Sequence, residues 1–285
     1  MSVTTAGQTA LASARPVAIA GDRAVTGVLR TQAALVYLFL YLPILVVVVY
    51  AFNDSRLVQV WDGFSTRWFG EAWRDETLRR GLWISFYTAT LTAMVATLLG
   101  TTAALGLRNV GKRTRSAFDA LMYMTLITPE LVAAIASLVA FVTIGLPLGP
   151  VAIVITHSIF NTAVVTLIVR SRLAGMDRTL EEASADLGAS RWETFREVTL
   201  PQLVPAVLAG ALLSFTFSFD DVVLSTFVAG PGSTPLPVEI FSELRFGLSP
   251  KINVVAVTTL TLTLTMIVIA QLLLRRETRR SRGAL

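Results

Sequence analysis

The 285-residue chain is 54% hydrophobic and 15% charged, with a formal net charge of +5 and no cysteine. That composition excludes a disulfide framework or a thiolate metal site. With a mean hydropathy of +0.66, it also excludes a soluble domain unless the apolar residues are scattered. They are gathered instead into blocks of about 20 residues, the length a helix needs to cross roughly 30 Å of hydrocarbon.

In chain order, residues 1–32 are rich in Ser, Thr and Ala and are expected to form a poorly ordered tail. The first apolar block, 33–52, is not followed by a small-residue cleavage site and reads as an uncleaved crossing. The connection 53–81 carries Trp61, Trp68, Phe69 and Trp73, which suit a membrane–water interface. Further crossings are predicted at 82–107, 117–143, 151–169, 203–228 and 252–274, followed by a basic tail, 275–285. The expectation is therefore an all-α, polytopic membrane protein with about six transmembrane helices. A single transmembrane domain spans 33–274, with no internal repeat and no second folded domain.

An even number of crossings puts both termini on one side, and lysine and arginine choose the side. With the termini inside, the inner set holds Arg15, Arg23, Arg30, Arg108, Lys112, Arg113, Arg115, Arg170, Arg172, Arg178, Arg191 and Arg196, plus five arginines after 274. The outer set is smaller, and in 53–81 its arginines are matched by Asp54, Asp62, Glu71, Asp75 and Glu76. Both termini are thus expected in the cytoplasm of a bacterial cell, the chain lying in its inner membrane. The basic excess reports topology rather than a nucleic-acid partner.

Two turns punctuate the chain. Gly106-Leu107-Arg108-Asn109-Val110-Gly111-Lys112-Arg113 resembles a phosphate-binding loop, but Arg113 stands where Ser or Thr should hold magnesium. It also follows a membrane helix rather than a strand, so a basic turn explains it better. The segment 145–150, with Gly145, Pro147 and Gly149, reads as a tight outer turn. Small residues at Gly100–Ala104 and Ala206–Gly210 allow close helix approach, a generic packing device.

The loop 177–201 is the informative connection. Asp177 can cap a short helix whose first turn holds Glu181 and Glu182, opposing the positive end of its dipole. Gly188 can end that helix or turn the chain sharply. A second segment carries Trp192, Phe195 and Val198 at helical spacing and runs to Leu200-Pro201, where a missing amide proton costs little. Glu182-Ala183-Ser184, then Gly188, then Val198, Leu200 and Pro201 resemble the cytoplasmic signature of ABC importer permeases, with Ser184 for the family's second alanine. The stretches Gly63–Trp68, Thr128-Pro129-Glu130, Ser218–Val223, Phe227–Pro231, Leu236-Pro237 and 247–253 are similar to the spermidine/putrescine branch of that family.

The resemblance implies a type I ABC importer permease fold forming half of a solute pathway, most simply for polyamines. It implies that 177–201 is the coupling element docking on a separate ATPase, with Gly188 permitting the bend and small residues permitting close docking. It further implies two ATPase subunits, a second and non-identical permease, and an extracytoplasmic solute-binding protein. No cofactor is expected on this chain, ATP being hydrolysed by the partner, and no enzymatic activity. The alternatives are another cargo (a different small cation, an amino-acid derivative or ferric iron) and, from another class, a stand-alone ion-gradient transporter. A membrane-embedded enzyme is weaker still.

Three carboxylates fall well inside the apolar blocks: Glu130, Asp220 and Asp221. Each costs on the order of 2.5–3.5 kcal/mol to insert, so each needs a polar cavity or a partner. All three are candidates to line a path for a polycation. Rise per residue sets Glu130 near the midplane and the Asp pair in the outer half. On one continuous helix Asp220 and Asp221 would point about 100° apart, so both cannot face one narrow path. His157, the only histidine, has no companion ligands for a metal and reads as a buried helix-to-helix contact.

Overall fold

The computed structural model describes residues 21–57, 60–246 and 250–282. Among them there is no strand, only an isolated antiparallel bridge between Asn53 and Phe64. The chain divides into two units, 1–49 and 50–285. The first contains all but the last residue of α1 (Gly21–Tyr50). That helix begins at Gly21, within the expected 1–32 tail; residues 1–20 lie outside the described set.

In the second unit, α2 (Arg67–Arg74) precedes α3 (Glu76–Gly106). Asp75 starts α3 by accepting the amides of Thr77 (3.1 Å) and Leu78 (3.4 Å), which satisfies donors left over at a helix start. Then come α4 (Lys112–Ile127), α5 (Glu130–Ile144) and α6 (Pro150–Ala174). The turn before α6 is as expected: Gly145 adopts a left-handed φ of 71° and Pro150 occupies the first turn of the helix. After α7 (Thr179–Asp186) and α8 (Arg191–Thr194), a π-helical turn at Phe195–Thr199 feeds α9 (Leu200–Phe219). The chain ends with α10 (Val223–Val228), α11 (Leu236–Phe246) and α12 (Lys251–Arg282).

Two expected crossings are interrupted. The block 117–143 is not one helix: α4 and α5 meet at Thr128-Pro129 with a bend of 103°. Pro129 has no amide proton to donate, and the residue before a proline is pushed out of the α region; Thr128 sits at φ −58°, ψ 127°. The block 203–228 likewise breaks at Asp220, where α9 stops and α10 begins three residues later. Conversely, the fifth crossing starts earlier than 203, because the π turn joins α8 to α9 into one apolar rod, Arg191–Phe219. Leu200 donates to Phe195 O, five residues back. This widened turn accommodates Pro201, which cannot make an ordinary helical bond.

Among the described residues four helices are long and apolar enough to cross a membrane, and the bent α4–α5 pair makes a fifth. The expected sixth, 252–274, is helical throughout, with Lys251–Thr265 as its described apolar part. Helix α12 continues to Arg282, through most of the expected 275–285 tail. Of the 247–253 motif, residues 247–249 lie outside the described set.

The core is the packing of α3, α6 and α9. Ala96 and Ala104 of α3, Val165 and Val169 of α6 and Leu203 of α9 form one buried cluster. A Cβ on Gly100 would lie 2.7 Å from the Cβ of Val165, and one on Gly210 would lie 3.2 Å from its Cγ1. The predicted small residues thus let three backbones converge on one valine. The short helices α2 and α11 were not anticipated. Trp68 of α2 packs inside with Ala51 and Val254, while Trp61 and Trp73 are exposed.

Candidate functional site

Two places carry the predicted functional residues. The first is 177–201, at the end of the bundle bearing Arg108, Arg115, Arg170 and Arg172. Asp177 Oδ1 accepts the Thr179 amide at 2.9 Å, starting α7 as expected. That helix closes in a Schellman arrangement: Gly188 N–H reaches Ala185 O (2.9 Å) and Ala189 N–H reaches Ser184 O (3.1 Å). Gly188 has φ +88°, a conformation that disfavours any residue with a Cβ. Ser190 and Glu193 then form a reciprocal capping box for α8.

Ser184, the departure from the motif, lies 3.0 Å from Thr194 Oγ1 and ties α7 to α8. The anchor of the whole segment is Glu181, the neighbour of the motif's Glu182. Its carboxylate takes two bonds from the Arg108 guanidinium (3.0 and 2.8 Å) and one from Thr199 Oγ1 (2.8 Å). The Arg108 hydrogen bonds hold Glu181 below the ordinary carboxylate pKa, and the same contact raises that of Arg108. Glu182, Ala183 and Pro201 are exposed, Val198 is half-buried and Leu200 is at the margin. Leu187, 89% exposed, and Trp192, 67% exposed, leave an apolar knob outward at the bend.

The same end is closed by arginines. Arg115 donates to Leu107 O at 2.8 Å, capping the last carbonyls of α3. Arg170 of α6 makes a two-point contact with Asp119 of α4. The glycine-bounded 106–113 segment is thus a helix-to-helix turn, with α4 starting at Lys112.

The second place is a half-open cleft of about 640 Å³ that Glu130, Asp220 and Asp221 all line, with Thr156, Asn161 and Phe217 among its other walls. The expectation that the Asp pair could not share one path rested on a continuous helix. The break at Asp220 removes that constraint, and the bend at Pro129 delivers Glu130 as the first residue of α5. Both interrupted helices therefore bring a carboxylate to one cleft, and unwound backbone at membrane depth is tolerated where it lines a cavity. Glu130 and Asp221 are neighbours in this cleft.

His157 of α6 stands behind the acids, 1% exposed. Its Nδ1 is 2.7 Å from Ser218 Oγ and its Nε2 is 3.2 Å from Asp221 Oδ1 and 3.3 Å from Ser225 Oγ. The helix-to-helix role read from sequence is thus what the geometry provides, but the partner, Asp221, was missed. The only sequence signal was a lone polar ring and an aspartate pair in separate apolar blocks.

Residues 96–281 match the family of binding-protein-dependent transport system inner membrane components. The chain is 40% identical over 247 residues to the putrescine transport system permease protein PotI of Escherichia coli strain K12, covering 84% of this chain and 88% of that one. It is 37% identical over 248 residues to the spermidine/putrescine transport system permease protein PotC of the same strain, covering 87% and 94%. In fold it is similar to a chain of a bacterial ABC transporter that imports the acidic polysaccharide alginate, with a TM-score of 0.72 at 15% identity over 90% of this chain and 96% of that one. The chain therefore belongs to the inner-membrane component family of binding-protein-dependent transport systems, as a multi-pass permease subunit of an ATP-driven ABC importer.

Proposed function

We propose that this permease carries polyamines, putrescine or spermidine, inward through the cleft formed by Glu130, Asp220 and Asp221. The single observation that carries the reading is the convergence of three carboxylates, from two broken helices, on one cavity. A polyamine is a flexible chain of ammonium groups whose hydration must be replaced as it crosses. Carboxylates in a low-dielectric wall supply that replacement, and they would repel an anionic solute. The names of the relatives at 40% and 37% identity point to the same cargo.

The 177–201 segment is the coupling element, with Glu182, Ala183, Ser184, Gly188, Val198, Leu200 and Pro201 at or beside the ATPase contact. Exposed Leu187 and Trp192 give that contact an apolar centre. Its side is the cytoplasm, in keeping with the arginine-rich end, and both termini lie on that side. Two ATPase subunits, a non-identical second permease and an extracytoplasmic binding protein complete the machine. This chain binds no nucleotide itself.

The structure also suggests how force reaches the cleft. Arg191–Phe219 is one rod of 29 residues, about 43 Å at 1.5 Å per residue. One end is the knob and the other ends at Asp220–Asp221. Movement of the knob on ATPase closure is carried along this rod, re-aiming the acids and switching the side from which the cleft opens. A solute drives that switch only by binding the two states differently.

The test is reconstitution of the complete importer with its binding protein in liposomes, followed by uptake of labelled putrescine and spermidine. ATP-dependent uptake of either supports the reading. An importer that hydrolyses ATP and moves a different solute, but neither polyamine, removes it.

A further inference from the structure

We propose that His157 is a positioning residue for solute passage: it fixes one oxygen of Asp221 so that the other faces the cleft. The inference rests on that cleft being the solute path.

Asp221 lies in the short non-helical link between α9 and α10. No helical hydrogen-bond ladder fixes the backbone that carries it, so its carboxylate needs an external clamp to hold one orientation. The clamp is present. Asp221 Oδ1 accepts the Ser225 amide at 2.8 Å and lies 3.2 Å from His157 Nε2. With both contacts made, Oδ1 is committed to the scaffold, and Oδ2 is the oxygen left for a cation in the cleft. The imidazole is itself held at its far nitrogen by Ser218 Oγ, 2.7 Å away in the last turn of α9. His157 therefore touches both sides of the α9–α10 break from a third, continuous helix.

A histidine kept only for packing would be replaced equally well by any side chain of its size. A positioning role needs an N–H donor where Nε2 stands. Glutamine can place its amide nitrogen near that point, whereas asparagine reaches only as far as Nδ1.

The experiment uses the complete reconstituted importer and whichever solute the wild type transports, at matched membrane abundance. His157→Gln should retain most of the uptake rate. His157→Asn should fall at least about tenfold, the loss expected for one hydrogen bond to a charged group. Combining His157→Asn with Asp221→Asn should be no worse than Asp221→Asn alone, whereas combining it with Asp220→Asn should multiply the losses. Equal losses in the Gln and Asn variants, or a full additional loss on the Asp221→Asn background, would overturn the proposal.

If His157→Asn does not accumulate, the full-length chain labelled with ¹⁵N-histidine provides a second readout, because this is its only histidine. Asp221→Asn should move the ring nitrogen signals, and unmoved signals would overturn the proposal. That measurement needs no cargo, so failure of the polyamine reading and failure of this one remain distinguishable.

Discussion

Removing Glu181 should release the 177–201 segment from the bundle while leaving the far end intact. The carboxylate holds three hydrogen bonds, two from Arg108 and one from Thr199. Both members of the ion pair are 23% exposed in their side chains, so the pair is neither a solvent-screened surface contact nor a fully buried one. Exposed pairs contribute 0–1 kcal/mol and hydrogen bonds to charged groups about 1.5–3 kcal/mol, which sets the loss for Glu181→Ala at about 2 kcal/mol. At 1.36 kcal/mol per factor of ten, local opening becomes about 30-fold more frequent. Hydrogen exchange reads this directly at the Gly188 and Ala189 amides, whose bonds close α7. Exchange there should accelerate about 30-fold, with core amides of α3 and α6 unchanged.

The pH dependence has a defined sign. The native carboxyl lies below its ordinary value of 4.5, chiefly through Arg108. Its stabilisation is therefore complete above pH 4.5 and is lost as pH falls through the lowered native value. In the wild type, protection corrected for intrinsic exchange should stay constant down to about pH 4.5, decline from there to the lowered native value, and level off below it. Unchanged exchange in Glu181→Ala would refute the view that this ion pair anchors the segment.

Three further outcomes follow from the same geometry. A Cβ at Gly188 would meet nothing within 4 Å in this chain but would sit at φ +88°, so Gly188→Asn, which bears positive φ at modest cost, should raise exchange in α7 only slightly, while Gly188→Trp abolishes ATP-dependent uptake with solute binding by the binding protein intact; normal uptake in the Trp variant would contradict a docking role. Gly100→Ala places a methyl 2.7 Å from Val165 Cβ and 3.0 Å from the Thr166 backbone nitrogen, so it should destabilise the detergent-solubilised chain by about 1–3 kcal/mol, visible as a lowered Tm, and Val165→Ala should not rescue it because the Cβ remains. Asp220→Asn and Asp221→Asn should each reduce polyamine uptake with assembly of the complex preserved, and undiminished transport in both would take them out of the pathway.

The sequence carried the membrane class plainly, because long apolar blocks have few other uses. Breaks inside those blocks were harder to read. Thr128-Pro129 was visible, yet membrane helices often keep prolines, so the dipeptide alone did not decide between a kinked rod and a 103° bend. The adjacent aspartates are the better clue. A pair that would point about 100° apart on a helix is itself a reason to expect the helix to end there. Gly188 was legible because it follows a short capped helix, where the chain must turn and glycine is favoured. The anchoring role of Glu181 was not legible beside the motif residue Glu182, since its partner Arg108 lies 73 residues upstream and no local pattern joins them. The His157–Asp221 contact was hidden for the same reason: a link between separate helices is made by packing, which periodicity along one helix does not encode.

The central claim is that the bent segment around Gly188 meets the ATPase. The chain has no cysteine, so one introduced at exposed Ala185 is unique in it. In the assembled importer, a short bifunctional thiol reagent should join that cysteine to a cysteine scanned along the ATPase surface, in a yield that changes when ATP is added. A control cysteine at Gly70, at the opposite end, should give no such product. Efficient joining from Gly70 with none from Ala185 would contradict the account.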